Sequence, residues 1–203
     1  MNRPNWILPC AAIFAAALFI SAADATTVER VTVSQMLGAS DFVFHGTVED
    51  IRVLRVTSAE DIVTRVRFRV HDVIKGRIRP AVVQLDFAGG TFAGLTISYA
   101  EQRVPILGEE GIYFVESLSQ RMLNPLYGWS QGHFTVRYED KQPVVYTADL
   151  RRVYDVQPGM LPRPEFSEGT ASGIMTDKAF HLQLPMTLTS FKAKLRSMLG
   201  DRR

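Results

Sequence analysis

The sequence predicts a mainly β domain, a small closed barrel, with a short helix near each end of the folded part. Apolar and polar side chains alternate with a period of two in several segments, which is typical of strands with one buried face. Glycine, proline and acidic residues separate these segments as turns. Two segments, near residues 35 and 195, instead have the capping residues or the apolar spacing of helices.

The composition limits the class of protein. The chain has 203 residues, 46% hydrophobic and 22% charged, which are the proportions of a globular domain and exclude a wholly disordered, collagenous or coiled-coil protein. The formal net charge of +2 is too balanced for a dedicated nucleic-acid binder, so no nucleic acid is expected as a partner. The single cysteine, Cys10, excludes an internal disulfide framework.

The first 25 residues have the organisation of an export signal. Arg3 precedes an uncharged run of fifteen residues, Trp6–Ile20, and Ala23-Asp24-Ala25 fits the small-x-small cleavage pattern. The run is shorter than the roughly 20 residues that a membrane-spanning helix needs. We therefore expect a periplasmic or secreted bacterial protein that has no stable membrane insertion after cleavage. An uncleaved anchor and a lipid on Cys10 are the alternatives.

The elements of the mature chain follow in order. Thr32–Ser40 is predicted to be a short helix, which Thr32 or Ser34 caps and which faces the core with Met36 and Leu37. Phe42–Val56 is predicted to be a long strand. Its apolar face carries Phe42, Phe44 and Val48, its polar face carries His45, Thr47 and Glu49, and Gly46 marks a bulge or bend.

The strand pattern continues to residue 147. The clearest strand is Ile62–Ile74, in which Val66, Phe68 and Val70 share one face. Further strands are predicted at Ala81–Phe87, Thr91–Ala100, Gly111–Glu116 and Val144–Thr147. The segment Gly128–Tyr138 is predicted to begin as a turn and to continue as a strand, with Phe134, Val136 and Tyr138 on one face.

The chain changes character after residue 156. Residues 157–173 hold three of the ten prolines and three glycines, which is typical of an irregular surface segment. A final helix follows Pro185, with Thr187 or Thr189 as its cap and Phe191, Leu195 and Leu199 at helical spacing. We expect a signal peptide (1–25), a β-barrel domain (26–156) and an extension that contains this helix (157–203). Five or six strands of uneven length, with hairpins and a helix, favour an OB-type barrel, with a β-sandwich as the alternative.

Three motifs resemble those of exported proteins related to the netrin-like modules: Asp41–Val48 (DFVFHGTV), His71–Gly76 (HDVIKG) and Gly108–Glu116 (GEEGIYFVE). The resemblance covers roughly residues 40–136 and implies the OB-type barrel that these modules share with the tissue inhibitors of metalloproteinases. It also implies a secreted zinc metalloprotease as a partner. Those inhibitors place an N-terminal cysteine on the zinc of their target, and the predicted mature chain has no cysteine. The resemblance therefore implies the fold more directly than the inhibitory mechanism.

A basic ladder, defined as Arg65, Arg67, Arg69 and His71, occupies the polar face of the clearest strand and is the candidate binding surface. Alternate residues of a strand lie about 6.6–6.8 Å apart, so the ladder could contact a polyanion or an acidic protein patch. The alternative is a solvated face that is paired with Glu49, Asp50, Glu60 and Asp61.

Residues 128–132 match the G-x-S-x-G pattern of serine hydrolases, which suggests Ser130 as a nucleophile, His181 as the base, and Asp149 or Asp155 as the acid. That chemistry needs a strand before the serine and a helix after it. A strand pattern follows Ser130 instead, so a tight turn is the alternative. The four histidines lack metal-ligand spacing, and no metal, cofactor or catalytic residue is predicted.

We therefore expect a non-catalytic, exported module that binds another exported protein, as an accessory or inhibitor of a secreted metalloprotease. A small serine hydrolase that uses Ser130 and a polyanion-binding surface module are the two alternatives. The hydrolase would depend on Ser130, whereas the polyanion-binding module would depend on the basic ladder.

The signal peptide gives the first testable prediction. Protein purified from outside the cytoplasm of its own cell should begin at Thr26, because cleavage follows Ala25. N-terminal sequencing and an intact mass would check this. A purified chain that retains residues 1–25 would contradict it.

Overall fold

A computed structural model of the chain describes residues 28–57, 61–176 and 184–200. The mainly β fold that the sequence predicts is confirmed. The helices are α1 (Val33–Ala39) and α2 (Leu188–Gly200), with a 3-10 helix at Trp129–Gly132. The strands are β1 (Phe42–Arg55), β2 (Ile62–Lys75), β3 (Val82–Ala88), β4 (Gly90–Phe92), β5 (Leu95–Ile97), β6 (Glu110–Val115), β7 (His133–Glu139), β8 (Gln142–Thr147), β9 (Val153–Val156) and β10 (Ile174–Thr176). The predicted signal peptide, with Cys10, lies outside the described residues.

Six strands form one antiparallel sheet in the order β3-β2-β1-β6-β7-β8. The sheet is not closed into the predicted barrel, because β7 and β8 extend it beyond β6. The segment 123–127 partly bridges the other side. The Ala88 amide donates to the Leu123 carbonyl over 2.8 Å, while the Tyr127 amide donates to the Phe114 carbonyl over 2.8 Å. This segment therefore links the end of β3 to β6.

Both faces of the sheet are covered by apolar packing. On one face, α1, α2, β9 and β10 pack against Val43, Ile112 and Phe134. On the other face, a second cluster is formed by β1, β2, β3 and β6 around rings such as Phe44 and Phe68. The pattern of one buried and one polar face, which the sequence predicts for β1, is therefore wrong at its start. His45, expected on a polar face, is buried.

Both helices begin where the sequence predicts. Thr32 caps α1: its hydroxyl accepts from the Gln35 amide, and the Gln35 side chain accepts in return from the Thr32 amide. Thr187 accepts from the Ser190 amide at the start of α2. Helix α2 buries Phe191 and Leu195 against the sheet, as its spacing predicts. None of the helices in the described ranges is both long enough and apolar enough to span a bilayer.

Strands β9 and β10 are absent from the sequence analysis because each has only four or three residues. They pair with each other across the irregular segment, with Ile174 opposite Val156. The predicted strand Thr91–Ala100 is instead a hairpin of β4 and β5, since Ala93 and Gly94 both have the positive φ of a tight turn.

Gly46 lies at an irregularity in the pairing of β1 with β2, which confirms the predicted bulge. A Cβ atom at this position would lie 2.5 Å from the Arg69 carbonyl oxygen and 3.0 Å from the Phe44 ring. The two strands can therefore approach each other here only because residue 46 has no side chain.

This close approach predicts that Gly46→Ala lowers the free energy of unfolding by about 2 kcal/mol or more, because backbone atoms of β2 must move. Urea denaturation of the purified protein would measure the loss. Gly200→Ala is the matched control, since a Cβ atom there meets nothing within 4 Å. Equal stability of Gly46→Ala and the wild type would contradict the packing described for β1.

Candidate functional site

Two consecutive glutamates at the start of β6 hold two histidines. Nε2 of His45 lies 2.8 Å from Oε1 of Glu110, and Nε2 of His133 lies 2.5 Å from Oε1 of Glu109. Neighbouring residues of an extended chain point to opposite sides, so the two pairs lie on opposite faces of the sheet. The sequence spacing of the histidines did not reveal this, because the partners come from β1, β6 and β7.

The pair of His45 and Glu110 lies on the face that α2 covers. The rings of His45 and His71 have centroids 5.0 Å apart, so the fold brings together two of the histidines. Nε2 of His71 is 2.8 Å from the Thr47 hydroxyl, and the Tyr138 hydroxyl donates to Glu110 over 3.3 Å. Burial lowers the pKa of His45, although Glu110 acts against this shift.

The pair of His133 and Glu109 lies in the interior. The His133 side chain is fully buried, and its ring packs 5.1 Å from the ring of Tyr113. Arg103 donates to the second oxygen of Glu109 over 2.7 Å, so the carboxylate is shared between a histidine and a guanidinium. Burial lowers the pKa of His133 and raises that of Tyr113 well above its usual value.

Both pairs are suited to holding the sheet together. An ionised carboxylate only accepts hydrogen bonds, so Nε2–H of each neutral histidine is the donor and its tautomer is fixed. The two contacts tie β6 to β1 on one face and to β7 on the other. Within the described ranges, no cluster of three or more histidine, cysteine, aspartate or glutamate residues has positions that could hold a metal ion.

The basic ladder lies on the face that also carries Glu49, and its arginines are paired with carboxylates. Arg65 makes a bidentate contact with Asp86, with two N–O distances of 2.7 Å. Arg69 and Arg67 lie 2.8 Å and 3.8 Å from Glu49, while His71 contacts Thr47. Glu49 and Asp86 therefore offset much of the charge of this face.

Ser130 lies inside the 3-10 helix, and β7 follows it directly. This order is the reverse of the strand–serine–helix order that a nucleophile elbow requires. Asp149 pairs with Arg151 and Asp155 with Lys194, while His181 lies outside the described residues. The segment forms a tight turn in which Gly128 has a φ of +67°.

The same turn also has an anchoring role. The Gln131 side chain accepts from the Val31 amide over 3.0 Å and donates to the Glu29 carbonyl over 2.9 Å. These contacts join the turn to the segment that precedes α1.

Two clefts that the sequence analysis missed meet at the end of β2. The first, here called the Ile78 cleft, has a volume of about 570 Å3 and is lined by side chains that include Phe42, Ile78 and Leu118. The second, here called the Arg79 cleft, has a volume of about 920 Å3 and lies against the end of α2, with Arg79, Arg196 and Leu199 in its lining. Lys75 and Gly76 line both clefts.

Local contacts determine where β2 ends and the clefts begin. The Lys75 ammonium donates to the carbonyls of Gly38 and Ser40, over 2.9 and 2.5 Å, at the end of α1. Gly76 follows with a φ of +138°, and a Cβ atom there would lie 2.5 Å from the Phe42 ring. Only glycine fits, and the chain turns sharply before Ile78. The alternation of charged and apolar residues in Lys75–Arg79 is the signal that could have indicated this surface.

Comparisons of the chain with protein-family models, with curated proteins and with solved structures find no match.

The two buried histidines predict how stability depends on pH. Their folded-state pKa values lie below the ordinary value of 6.5, so the unfolded chain binds protons that the folded chain does not. This contribution to stability is complete above about pH 6.5 and is lost as the pH falls toward the folded-state pKa values. Each histidine can contribute a slope of up to ~1.4 kcal/mol per pH unit.

Urea denaturation at pH 7.5, 6.5 and 5.5 should therefore show a falling free energy of unfolding. His45→Gln should remove the share of the slope that His45 contributes. Gln142→Ala, at an exposed position at the start of β8, should leave the slope unchanged. A wild-type stability that does not change over this pH range would show that the histidines are not buried in neutral form.

Proposed function

We propose that this protein is an exported, non-catalytic module that binds another exported protein through the Ile78 cleft. The observation that carries the proposal is a pair of exposed apolar side chains in one concave surface: Ile78 is 54% exposed and Leu118 is 42% exposed. Phe42, which also lines the cleft, is fully buried and belongs to the apolar cluster around Phe44 and Phe68. Apolar side chains that share a cleft, unlike single exposed ones, are typical of interaction sites.

The energetics favour an interaction at this position. Burying apolar surface contributes roughly 25 cal/mol per Å2, and complete burial of an isoleucine or leucine side chain contributes about 1.5–3 kcal/mol. The cleft is built on the end of β2 and the start of β1, both of which belong to the packed sheet. A partner would therefore meet a surface that needs little ordering, which lowers the entropic cost of binding.

The roles of the polar residues agree with a binding function. The two buried histidines donate hydrogen bonds to Glu109 and Glu110, and these hydrogen bonds join neighbouring strands of the sheet. Ser130 lies in a turn whose following element is a strand. His45 and His133 thus have partners within the fold, whereas neither Ile78 nor Leu118 belongs to the two buried apolar clusters of the described residues.

We also propose the finer fold and the partner class that the motifs imply. The strand order β3-β2-β1-β6, with segment 123–127 linking β3 and β6, is compatible with a partly open OB-type barrel to which β7 and β8 are added. The resemblance to netrin-like modules suggests a secreted zinc metalloprotease as the partner. This suggestion also requires the signal peptide and a location in the periplasm or outside the cell.

Affinity capture from the exported fraction of the protein's own organism tests the proposal, with the bound proteins identified by mass spectrometry. We expect one dominant protein, and we expect its proteolytic activity to change when the module is added if it is a zinc protease. The double variant Ile78→Ser/Leu118→Ser should weaken capture about tenfold or more, since ~1.4 kcal/mol corresponds to tenfold.

Ile106→Ser is the matched control. Ile106 is 62% exposed in a turn before β6 and does not line the Ile78 cleft. Capture should therefore be the same as for the wild type. Equal capture by the double variant and the wild type would overturn the proposed surface, and an empty capture with folded protein would overturn the binding function.

A further inference from the structure

The segment between β2 and β3 carries positive charge that no described carboxylate balances. Arg77 and Arg79 are exposed, and neither forms an ion pair with any residue that the structure describes. The basic ladder differs, because Asp86 and Glu49 lie against its arginines. The surface available to an anionic group is therefore at the end of β2 and not along its polar face.

The positions of these arginines relate them to both clefts. Arg77 lines the Ile78 cleft and Arg79 lines the Arg79 cleft, with the exposed Ile78 between them in the chain. Arg196, at the C-terminal end of α2, lines the second cleft as well, although Asp72 lies 2.8 Å from it. Asp41 is the acidic residue in the lining of the Ile78 cleft, and none lines the Arg79 cleft among the described residues.

We propose that the contacting segment of the partner protein is acidic and carries a large apolar side chain. The apolar side chain would enter the Ile78 cleft beside Leu118, and flanking carboxylates would meet Arg77 and Arg79. This inference rests on the proposed function and specifies the chemistry of the partner. It follows from the juxtaposition of an apolar cleft with two arginines that form no ion pair with any described residue.

The apolar component distinguishes a protein segment from a polyanion. A sulfated or phosphorylated polymer offers charge but nothing to cover Ile78 and Leu118, whereas a peptide with acidic and apolar side chains matches both parts of the surface. Guanidinium groups also suit carboxylates because their planar donors match the two carboxylate oxygens. The contribution of the arginines should weaken with added salt, since exposed charges are screened.

A random dodecapeptide display library, selected on the purified exported protein, tests this inference. Enriched peptides should carry net negative charge and at least one large apolar residue. The most enriched peptide would then be synthesised, and its Kd measured by fluorescence anisotropy. Replacement of its glutamates and aspartates by glutamine and asparagine should raise Kd about tenfold, and so should the double variant Arg77→Gln/Arg79→Gln.

Lys141→Gln/Arg163→Gln is the charge-matched control. Both residues are exposed, and neither forms an ion pair with a described residue. This control should leave Kd unchanged, whereas a variant with Ile78→Ser should raise it. Urea denaturation of each variant would show that the protein remains folded.

The other outcomes separate the two proposals. Enriched peptides that are neutral and apolar, and that lose affinity with Ile78→Ser but not with the arginine variant, would overturn the acidic segment and leave the proposed function standing. Acidic peptides without apolar residues, together with equal competition by polyphosphate and no effect of Ile78→Ser, would overturn both in favour of a polyanion surface. An absence of enriched peptides would also overturn both.

Discussion

The structure depends most on the double-sided packing of β1. From Phe42 to Val48 the strand is buried on both faces, with only Thr47 half-exposed. Its successive side chains therefore point alternately toward the two apolar clusters, one on each face of the sheet. At Gly46, β2 approaches β1 so closely that a Cβ atom would lie 2.5 Å from the Arg69 carbonyl oxygen. The same alternation directs His45 toward the face of α2, where Glu110 accepts a hydrogen bond from Nε2–H of His45. The end of the sheet is therefore held rigidly where the clefts begin.

The two His–Glu contacts help to keep the strands of the sheet in register. Glu109 and Glu110 are neighbours in the chain but reach opposite faces, so β6 is fixed to β7 on one side and to β1 on the other. Buried charges without partners would be costly, and here each carboxylate has a histidine donor. At the same end of β1 and β2, the Lys75 ammonium joins the end of β2 to the end of α1. The exposed residues Arg77, Ile78 and Arg79 follow directly in the chain.

The sequence predicts the secondary structure well and the site poorly, for physical reasons. Period-two alternation located β2 and the start of β1, and the capping residue Thr32 located α1. The sequence could not show whether the sheet is open or closed into a barrel. The answer depends on whether β7 and β8 extend the sheet or segment 123–127 closes it. The charge balance of the basic ladder also depends on carboxylates 18 to 21 residues away in the chain, such as Asp86 for Arg65. A sequence pattern shows which charges share a face but not which carboxylates lie opposite them.

The central claim is that the surface around Ile78 is covered by a partner in the native setting. Hydroxyl-radical footprinting measures side-chain accessibility directly and can be applied both to the untreated exported fraction and to the purified protein. We predict that Ile78 and Leu118 react less in the native fraction than in the purified protein, while Ile106, which is also exposed in the isolated fold, reacts alike in both. Equal reactivity of Ile78 and Leu118 in the two samples would contradict the claim.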